Sequence, residues 1–290
     1  MRMRPLLPLI PLLPLLACTG SADSRTRHAK TPRAPADTDT DSDTDTDSDT
    51  DADADTDSDA DTDTDTDPWA ADDNTVNPVE GIDVSHWNGD IDWHRVAADG
   101  IVFAISKCTE SDYYTDDTFP SSYAGARGEG IIFGGYHFAS PDESSGAEQA
   151  TFFVENGGDW QPDGLTMPGV LDIEYNPYGD TCYNLSKSQM EDWVADFSDT
   201  YTALTGRAPA IYTNADWWNT CVGDSAMPGV NPLWVAYWGS GTPTLPTGWT
   251  TYDLWQYSSE GSVDGVSGGL DVNRFPGTMH DLRMFANDTE

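Results

Sequence analysis

Basic residues are scarce in this chain of 290 residues, which has 13 Lys and Arg against 51 Asp and Glu and a formal net charge of −38. Part of the excess comes from one segment, Asp37–Asp67, in which every odd-numbered residue is Asp. Residues 68–290 nevertheless keep 34 acidic residues against seven basic ones. Because a surface of that sign repels phosphate backbones, the composition argues against nucleic acid as a partner.

No stretch of the sequence is apolar for long enough to span a bilayer. The nearest is residues 5–16, which contain only Pro, Leu and Ile and follow two arginines. This pattern is typical of a signal peptide, here residues 1–17. The LLAC ending resembles a bacterial lipobox and predicts a lipid on Cys18; the alternative is an ordinary signal peptide with an incidental Cys. Thr19 follows, which in a Gram-negative cell favours the outer membrane. We expect an exported, membrane-anchored lipoprotein of the cell envelope, or an extracellular protein.

Cysteine is also rare, with four in the chain. None forms a CxxC pair or a cluster with His, so the sequence predicts no metal site and no cofactor. Cys182 and Cys221 lie in polar, loop-like stretches, whereas Cys108 lies in the apolar run IVFAISKC. Since export permits disulfides, we predict a Cys182–Cys221 bridge and a buried thiol at Cys108.

Residues 18–79 are dominated by the alternation of Asp with Thr, Ser or Ala. Such a segment buries no apolar surface and repels itself, so we predict a disordered, extended linker. Its DxDxD spacing also suits calcium, but the run lacks the Gly and the terminal Glu of an EF-hand loop. Residues 80–290 are predicted to form one folded domain.

Within that domain, short β-rich runs alternate with helical stretches. The clearest helix is Ser188–Thr205, in which apolar residues recur at helical spacing before Gly206. The pattern predicts an α/β fold, a modified TIM-like parallel barrel of about five β/α units followed by helix-poor strands. The predicted strands are Gly81–Ser85, Ile101–Lys107, Ile131–Phe138, Val170–Tyr175, Ala210–Thr213, Leu233–Tyr237, Tyr252–Tyr257 and Leu270–Asn273. The other predicted helices are Trp93–Asp99, Ser121–Gly128 and Ser145–Asn156.

Two acidic residues, Asp172 and Glu174, lie two positions apart at the end of an apolar strand. Side chains of a strand alternate between its faces, so both point the same way. In a parallel barrel that direction is the interior, at the mouth where active sites form. Confined acids raise each other's pKa, as a general acid at neutral pH requires. Two solvated acids at a strand end are the alternative.

Six segments carry a resemblance to a known family: GIDVSHWNGDIDW (81–93), YHFASP (136–141), VLDIE (170–174), AIYTN (210–214), PLWVAYW (232–238) and LWQYSSEGSVDGVSGGLDVNRF (254–275). Their order resembles glycoside hydrolase family 25, the Chalaropsis-type lysozymes, over residues 80–277. The resemblance implies a barrel of about five β/α units plus three strands. It also implies retaining hydrolysis of the β-1,4 bond between N-acetylmuramic acid and N-acetylglucosamine in peptidoglycan glycan strands.

The resemblance assigns roles to four acids. Glu174 would be the general acid, and Asp172 would support the 2-acetamido group of the substrate, whose carbonyl is a candidate internal nucleophile. Asp83 and Asp271 would position sugar and water. Whether the nucleophile is the acetamido group or a carboxylate stays open. The groove-lining residues implied by the family are Tyr136, Tyr212, Trp234 and Gln256.

Other residues keep alternatives. His137 is expected in the groove wall or the core rather than as a base, and Trp234 in the core or as a sugar platform. Lys107 would pair with a carboxylate at the mouth or contact substrate. Trp87 would be a rim contact or part of a packed turn. Tyr237-Trp238 replace the family's usual Arg-Tyr, which removes a positive charge near the cleft.

The four acids favour an active enzyme over the alternative, a non-catalytic peptidoglycan-binding protein that anchors the envelope. No separate wall-binding repeat is present, so the barrel itself must engage the glycan. We expect a monomer.

Overall fold

The computed structural model describes Trp69, Asp72 and residues 75–288. The predicted signal peptide, Cys18 and the Asp37–Asp67 run lie outside the described residues. Among the residues that are described, no helix combines the length and the apolar character needed to cross a membrane.

Eight strands close into a barrel, because β1 pairs with both β2 and β9. A ninth, β3, is a two-residue strand that pairs only with β2. The strands are β1 Val79–Val84, β2 Phe103–Glu110, β3 Tyr114–Thr115, β4 Ile132–Phe138, β5 Val170–Asp172, β6 Ala210–Thr213, β7 Leu233–Ala236, β8 Leu254–Gly261 and β9 Leu270–Phe275. Strands β1, β2 and β4 to β8 run parallel, and β9 runs antiparallel to both of its neighbours.

In the described part of the chain, an α-helix follows each of the first five barrel strands, none follows the next two, and one follows the last strand. The helices are α1 Trp93–Ala98, α2 Phe119–Gly128, α3 Gly146–Phe153, α4 Lys187–Thr205, α5 Ala215–Cys221 and, after the last strand, α6 Met279–Asn287. Five β/α units followed by strands without helices agree with the predicted modified barrel. The antiparallel direction of β9 departs from the arrangement of a fully parallel barrel, in which all eight strands run the same way. Only eight residues separate β8 from β9, whereas a parallel neighbour requires a crossover of about a dozen residues.

Alternation along the strands sorts side chains into two apolar layers. Inward residues such as Phe103 and Ile105 fill the barrel, whereas outward residues such as Ala104 pack beneath the helices. Helix α4 is the longest of these helices. Its buried face is Met190, Trp193, Val194, Phe197, Ser198 and Tyr201, and it ends at Gly206 with the left-handed φ of 86°. The predicted helix and its glycine stop are therefore confirmed.

Several elements differ from the predictions. The predicted strand Val170–Tyr175 ends at Asp172. Helix Ser145–Asn156 is shorter, since α3 gives way to a π-helical turn over Val154–Gly158. Helices α5 and α6 were not predicted. With seven and nine residues, they make about 2 and about 2.5 turns, which leaves little apolar periodicity to recognise.

Helix α6 closes the end of the barrel at which the parallel strands begin. Its Leu282 and Ala286 belong to the interior apolar cluster. The Arg207 guanidinium, which lies just before β6, donates from Nη1 to the Ala286 carbonyl at 2.9 Å. On the same end, Asp72 pairs with Arg283 of α6 at 2.6 Å. The opposite end, called the mouth below, is where the parallel strands finish.

Candidate active site

The mouth of the barrel gathers four inward-facing acids. Asp83 is the penultimate residue of β1, and Asp271, the second residue of β9, lies directly opposite it in the antiparallel register. Asp172 is the last residue of β5. Glu174 lies beyond the strand, but the alternation persists: Ile173 packs in the outer cluster and its N–H bonds the Tyr212 carbonyl at 3.0 Å. Glu174 therefore returns to the inner side, as the spacing of the two acids predicts.

The Asp83 carboxylate is held by two side-chain amides. Its Oδ2 accepts from Gln256 Nε2 at 2.9 Å and from Asn273 Nδ2 at 2.8 Å. Indole N–H groups, which only donate, fix the orientation of both amides. Trp234 donates to Asn273 Oδ1 at 2.9 Å and Trp238 donates to Gln256 Oε1 at 3.0 Å. Each amide must therefore direct its NH₂ group toward Asp83.

Burial and mutual repulsion raise the pKa of these acids. Burial first, then the charges of Asp271 and Glu174, raise the pKa of Asp83 to about 7, against the hydrogen bonds from the two amides. Burial and then Asp271 raise the pKa of Glu174 to about 7. Burial also raises the pKa of Asp271. A carboxylic acid with a pKa near 7 retains a proton that it can donate at neutral pH.

Asp172 differs from Asp83 in its partners. Its side chain is 7% exposed, and Oδ1 has no hydrogen-bond partner among the described residues. Burial and the charge of Glu174 raise its pKa well above the usual value, against Lys107, which lowers it. A buried acceptor without a donor costs free energy. This atom is therefore suited to accept a hydrogen bond from a bound ligand.

The predicted groove residues lie around and beneath the acids. Tyr212 and Trp234 meet edge to face at 4.6 Å between ring centroids, and the Tyr212 hydroxyl donates to Gln256 Oε1 at 2.9 Å. Trp234 is 2% exposed, so it supports the amide network and presents no open ring face to a sugar. Tyr136 is half-buried, and burial followed by the Asp172 charge raises its pKa.

Two further residues resolve the alternatives that the sequence left open. His137 faces outward into the helix layer, where its ring contacts Thr109 Oγ1 at 2.8 Å and Gln149 Oε1 at 2.9 Å. Burial lowers its pKa to about 4, so it is a neutral core residue. Lys107 faces the mouth and forms an ion pair with Glu110 at 2.5 Å.

Sequence reasoning missed Asn273 and Glu110. Asn273 lies two residues after Asp271, and that spacing was a usable signal because it places both side chains on the inner face of β9. The partnership of Lys107 with Glu110 had no comparable signal, since it depends on a register shift between Lys107 and Thr109 in β2.

Outside the mouth, the structure joins Cys182 to Cys221 by a disulfide with Cα atoms 5.3 Å apart, and Cys108 is a buried free thiol. Among the described residues no group of three or more His, Cys, Asp or Glu side chains is arranged to hold a metal ion.

Comparison with known proteins places this chain in a family. The model of the glycosyl hydrolases family 25 matches residues 82–266. The chain is 50% identical to Lysozyme M1 of Streptomyces globisporus over 224 residues, 75% of this chain and 76% of that protein. It is 41% identical to N,O-diacetylmuramidase of Chalaropsis sp. over 202 residues, 67% of this chain and 96% of that protein.

Solved structures agree in fold. A bacterial lysozyme from Streptomyces coelicolor superposes with a TM-score of 0.72 at 50% identity, covering 74% of this chain and 100% of that one. A family 25 lysozyme from Aspergillus fumigatus gives 0.68 at 44% identity, covering 72% and 99%. The chain belongs to the glycosyl hydrolases family 25 and is a glycoside hydrolase.

Proposed function

We propose that this glycoside hydrolase is a lysozyme that cuts the β-1,4 bond between N-acetylmuramic acid and N-acetylglucosamine in peptidoglycan. The names of its relatives, Lysozyme M1 and N,O-diacetylmuramidase, support this substrate. The observation that carries the proposal is the set of four inward-facing acids at the mouth, two of which have a pKa of about 7.

Glu174 is the general acid in this proposal. Its raised pKa keeps a proton available for the departing glycosidic oxygen, and its ionised form then activates water. Because Glu174 lies just beyond the end of β5, it is less enclosed than Asp172. That position allows it to reach the bond of a glycan lying across the mouth.

Asp172 supports the substrate's 2-acetamido group. Its unpartnered Oδ1 accepts the acetamido N–H. Burial and the Glu174 charge raise the pKa of Asp172, but the positive charge that develops as the acetamido carbonyl attacks the anomeric carbon favours the ionised carboxylate, which in turn stabilises that charge. Asp83, held by two amides, and Asp271 position the sugar and the water. The reaction proceeds with retention.

A non-catalytic peptidoglycan-binding anchor is the second candidate. Binding alone gives no reason to confine four carboxyl groups whose pKa values are all raised, since each loses solvation there. The acids therefore favour the enzyme.

We further propose that the chain is exported by residues 1–17 and anchored to an envelope membrane by a lipid on Cys18. Residues 18–79 would then serve as an acidic linker that lets the anchored barrel search nearby glycan as a monomer. Mass analysis of the mature protein, with and without a Cys18→Ser change, tests the lipid directly.

The central experiment replaces Glu174 by Gln and measures hydrolysis of purified cell walls. We expect a folded protein whose kcat falls on the order of 10²–10⁴-fold, because the amide has no proton to donate. Glu155→Gln, an exposed position after α3, is the matched control and should behave as wild type. A folded Glu174→Gln protein with more than about a tenth of the wild-type rate would rule out this general acid.

A further inference from the structure

A cavity of about 550 Å³ opens at the mouth beside the four acids. The segments that follow β1, β2, β4 and β5 form it, and its lining includes Trp87, Lys107, Glu110, Tyr113, Tyr114 and Tyr178. Lys107, which lines the cavity, also lies near the acids, because its charge lowers the pKa of both Asp172 and Glu174. The cavity therefore lies beside the proposed reaction centre.

The floor of this cavity carries no uncompensated positive charge. Glu110 Oε2 pairs with Lys107 at 2.5 Å, and Glu110 Oε1 accepts from the Tyr178 hydroxyl at 2.8 Å. His86, at the edge, pairs with Asp116 at 2.8 Å. The rim adds further carboxylates. An anionic ligand would consequently meet repulsion here, whereas a neutral one would not.

The walls are aromatic and unusually open. Trp87 is 85% exposed, Tyr178 is 76% exposed and Tyr113 is 70% exposed. Clustered open rings of this kind mark a ligand surface rather than a packed turn. Their flat faces suit the apolar C–H face of a sugar ring. The hydroxyls of Tyr178 and Tyr114 already bond Glu110 and His86, which fixes these two rings in place.

Trp87 is held in this open position by its neighbours. It lies in a 3-10 turn, His86–Asn88, which Ser85 caps by accepting from the Trp87 N–H at 3.4 Å. The next ring, His86, is fixed by Asp116 and lies 4.4 Å from the Trp87 ring between centroids. A platform that is already ordered loses little conformational entropy when it binds.

We propose that this cavity is a distant glycan subsite, in which an uncharged N-acetylhexosamine unit of the strand stacks on Trp87. The inference rests on the proposed function, which supplies the glycan. A further cavity of about 460 Å³ lies beside the ends of β6 and β7, on the other side of the acids in the order of the barrel strands. A glycan chain bound in both cavities would therefore cross the mouth with the cleaved bond in its middle, and the enzyme would prefer long glycans.

The test measures binding separately from hydrolysis. Calorimetry compares Glu174→Gln with Glu174→Gln/Trp87→Ala, using a peptide-free peptidoglycan tetrasaccharide and octasaccharide. We expect the second protein to lose about tenfold in affinity for the octasaccharide and much less for the tetrasaccharide. Trp87→Phe should restore most of the loss. Tyr123→Ala, which removes an exposed ring on α2 outside the mouth, should change neither affinity.

The outcomes separate the two proposals. Equal loss for both lengths, or no loss for the octasaccharide, overturns the subsite even if the wild-type enzyme degrades cell walls. A selective loss for the octasaccharide supports the subsite, because the comparison does not depend on turnover. Wild-type protein that hydrolyses neither oligosaccharide nor wall would instead overturn the proposed lysozyme activity.

Discussion

Asp83 and Asp172 face the same mouth with opposite hydrogen bonding. Asp83 receives two amide N–H groups on one oxygen, and the indoles behind those amides hold them in place. Asp172 leaves Oδ1 without a donor among the described residues. The first carboxylate is thus positioned by the protein, whereas the second is available to the substrate. This difference supports the separate roles that we propose for them.

The role of Asp172 gives a prediction at the level of one residue. Asp172→Asn should lower kcat on the order of 10²-fold or more, because an amide cannot stabilise the positive charge that develops on the acetamido group. The wild-type enzyme should also cleave glycan that lacks the N-acetyl group poorly. Both rates are measured on matched acetylated and de-acetylated glycan fragments.

Equal wild-type turnover of the two fragments would exclude substrate assistance and would leave Glu174 as general acid untouched. A further control is the de-acetylated fragment tested on Asp172→Asn. If the acetamido group and Asp172 act together, the second change should add little to the first.

Among elements, the segment between β5 and α4 shows how the fold supports the mouth. The Cys182–Cys221 disulfide ties this segment to α5. The same segment carries Tyr178, which bonds Glu110 at 2.8 Å. The disulfide therefore constrains a segment that lines the proposed glycan subsite.

Removing that disulfide should destabilise the domain. The bridge closes a loop with a sequence separation of 39 residues, for which chain-entropy estimates give about 3–4 kcal/mol. Denaturant unfolding of the oxidised and the reduced protein measures the difference. Cys108→Ala is the control and should preserve that difference, since Cys108 is a free thiol. A reduced protein as stable as the oxidised one would contradict the expectation, as would peptide mapping that joins Cys108 to either partner.

The long helix α4 could be predicted from its periodicity, whereas two of the short helices, α5 and α6, could not. Helix α4 has six buried residues spread over 19 positions, so its pattern was unambiguous. Helix α5 has Trp217, Trp218 and Cys221 buried within seven positions, which is compatible with a strand or a loop. The predicted end of β5, at Tyr175, was too late, because side chains keep alternating between the outer and inner faces beyond Asp172, the last residue of the strand.

For the whole molecule, the four acids at the mouth should make the folded protein more stable at acidic pH than at neutral pH. Asp83 and Glu174 have their pKa raised to about 7, and Asp172 and Asp271 also have raised values. The folded protein thus binds these protons more tightly than the unfolded chain. The four acids therefore contribute to the free energy of unfolding. This contribution is fully present below about pH 4, their pKa in the unfolded chain, and is lost as the pH rises through their pKa in the folded protein.

The free energy of unfolding should therefore fall between about pH 4 and pH 7. The shift of Asp83 from 3.8 to about 7 corresponds to at most about 4 kcal/mol. Denaturant titrations across this range measure the slope, and Asp83→Asn should flatten it. Carboxyls with lowered pKa, such as Asp116, act below this window, whereas His137, whose pKa is lowered to about 4, opposes the fall within it. An Asp83→Asn protein with the same slope as the wild type would contradict the raised pKa of Asp83.

The barrel and its acids could be predicted from the order of strands and helices together with the family motifs. The antiparallel direction of β9 follows from the eight-residue connection between β8 and β9. This direction can be inferred from the sequence once β9 is known to pair with β1. The amide network around Asp83 could not be predicted, because Gln256 and Asn273 reach it from 173 and 190 residues away along the chain.

The ion pair of Asp72 with Arg283 has a practical consequence for protein engineering. It joins the segment before β1 to the last helix, at the end of the barrel away from the acids. A solid support or a fusion partner attached at either segment meets the domain on that side. Immobilised or fused versions of the enzyme would therefore keep their cleft turned toward the solution, and a circular permutant that links these two segments needs only a short added loop.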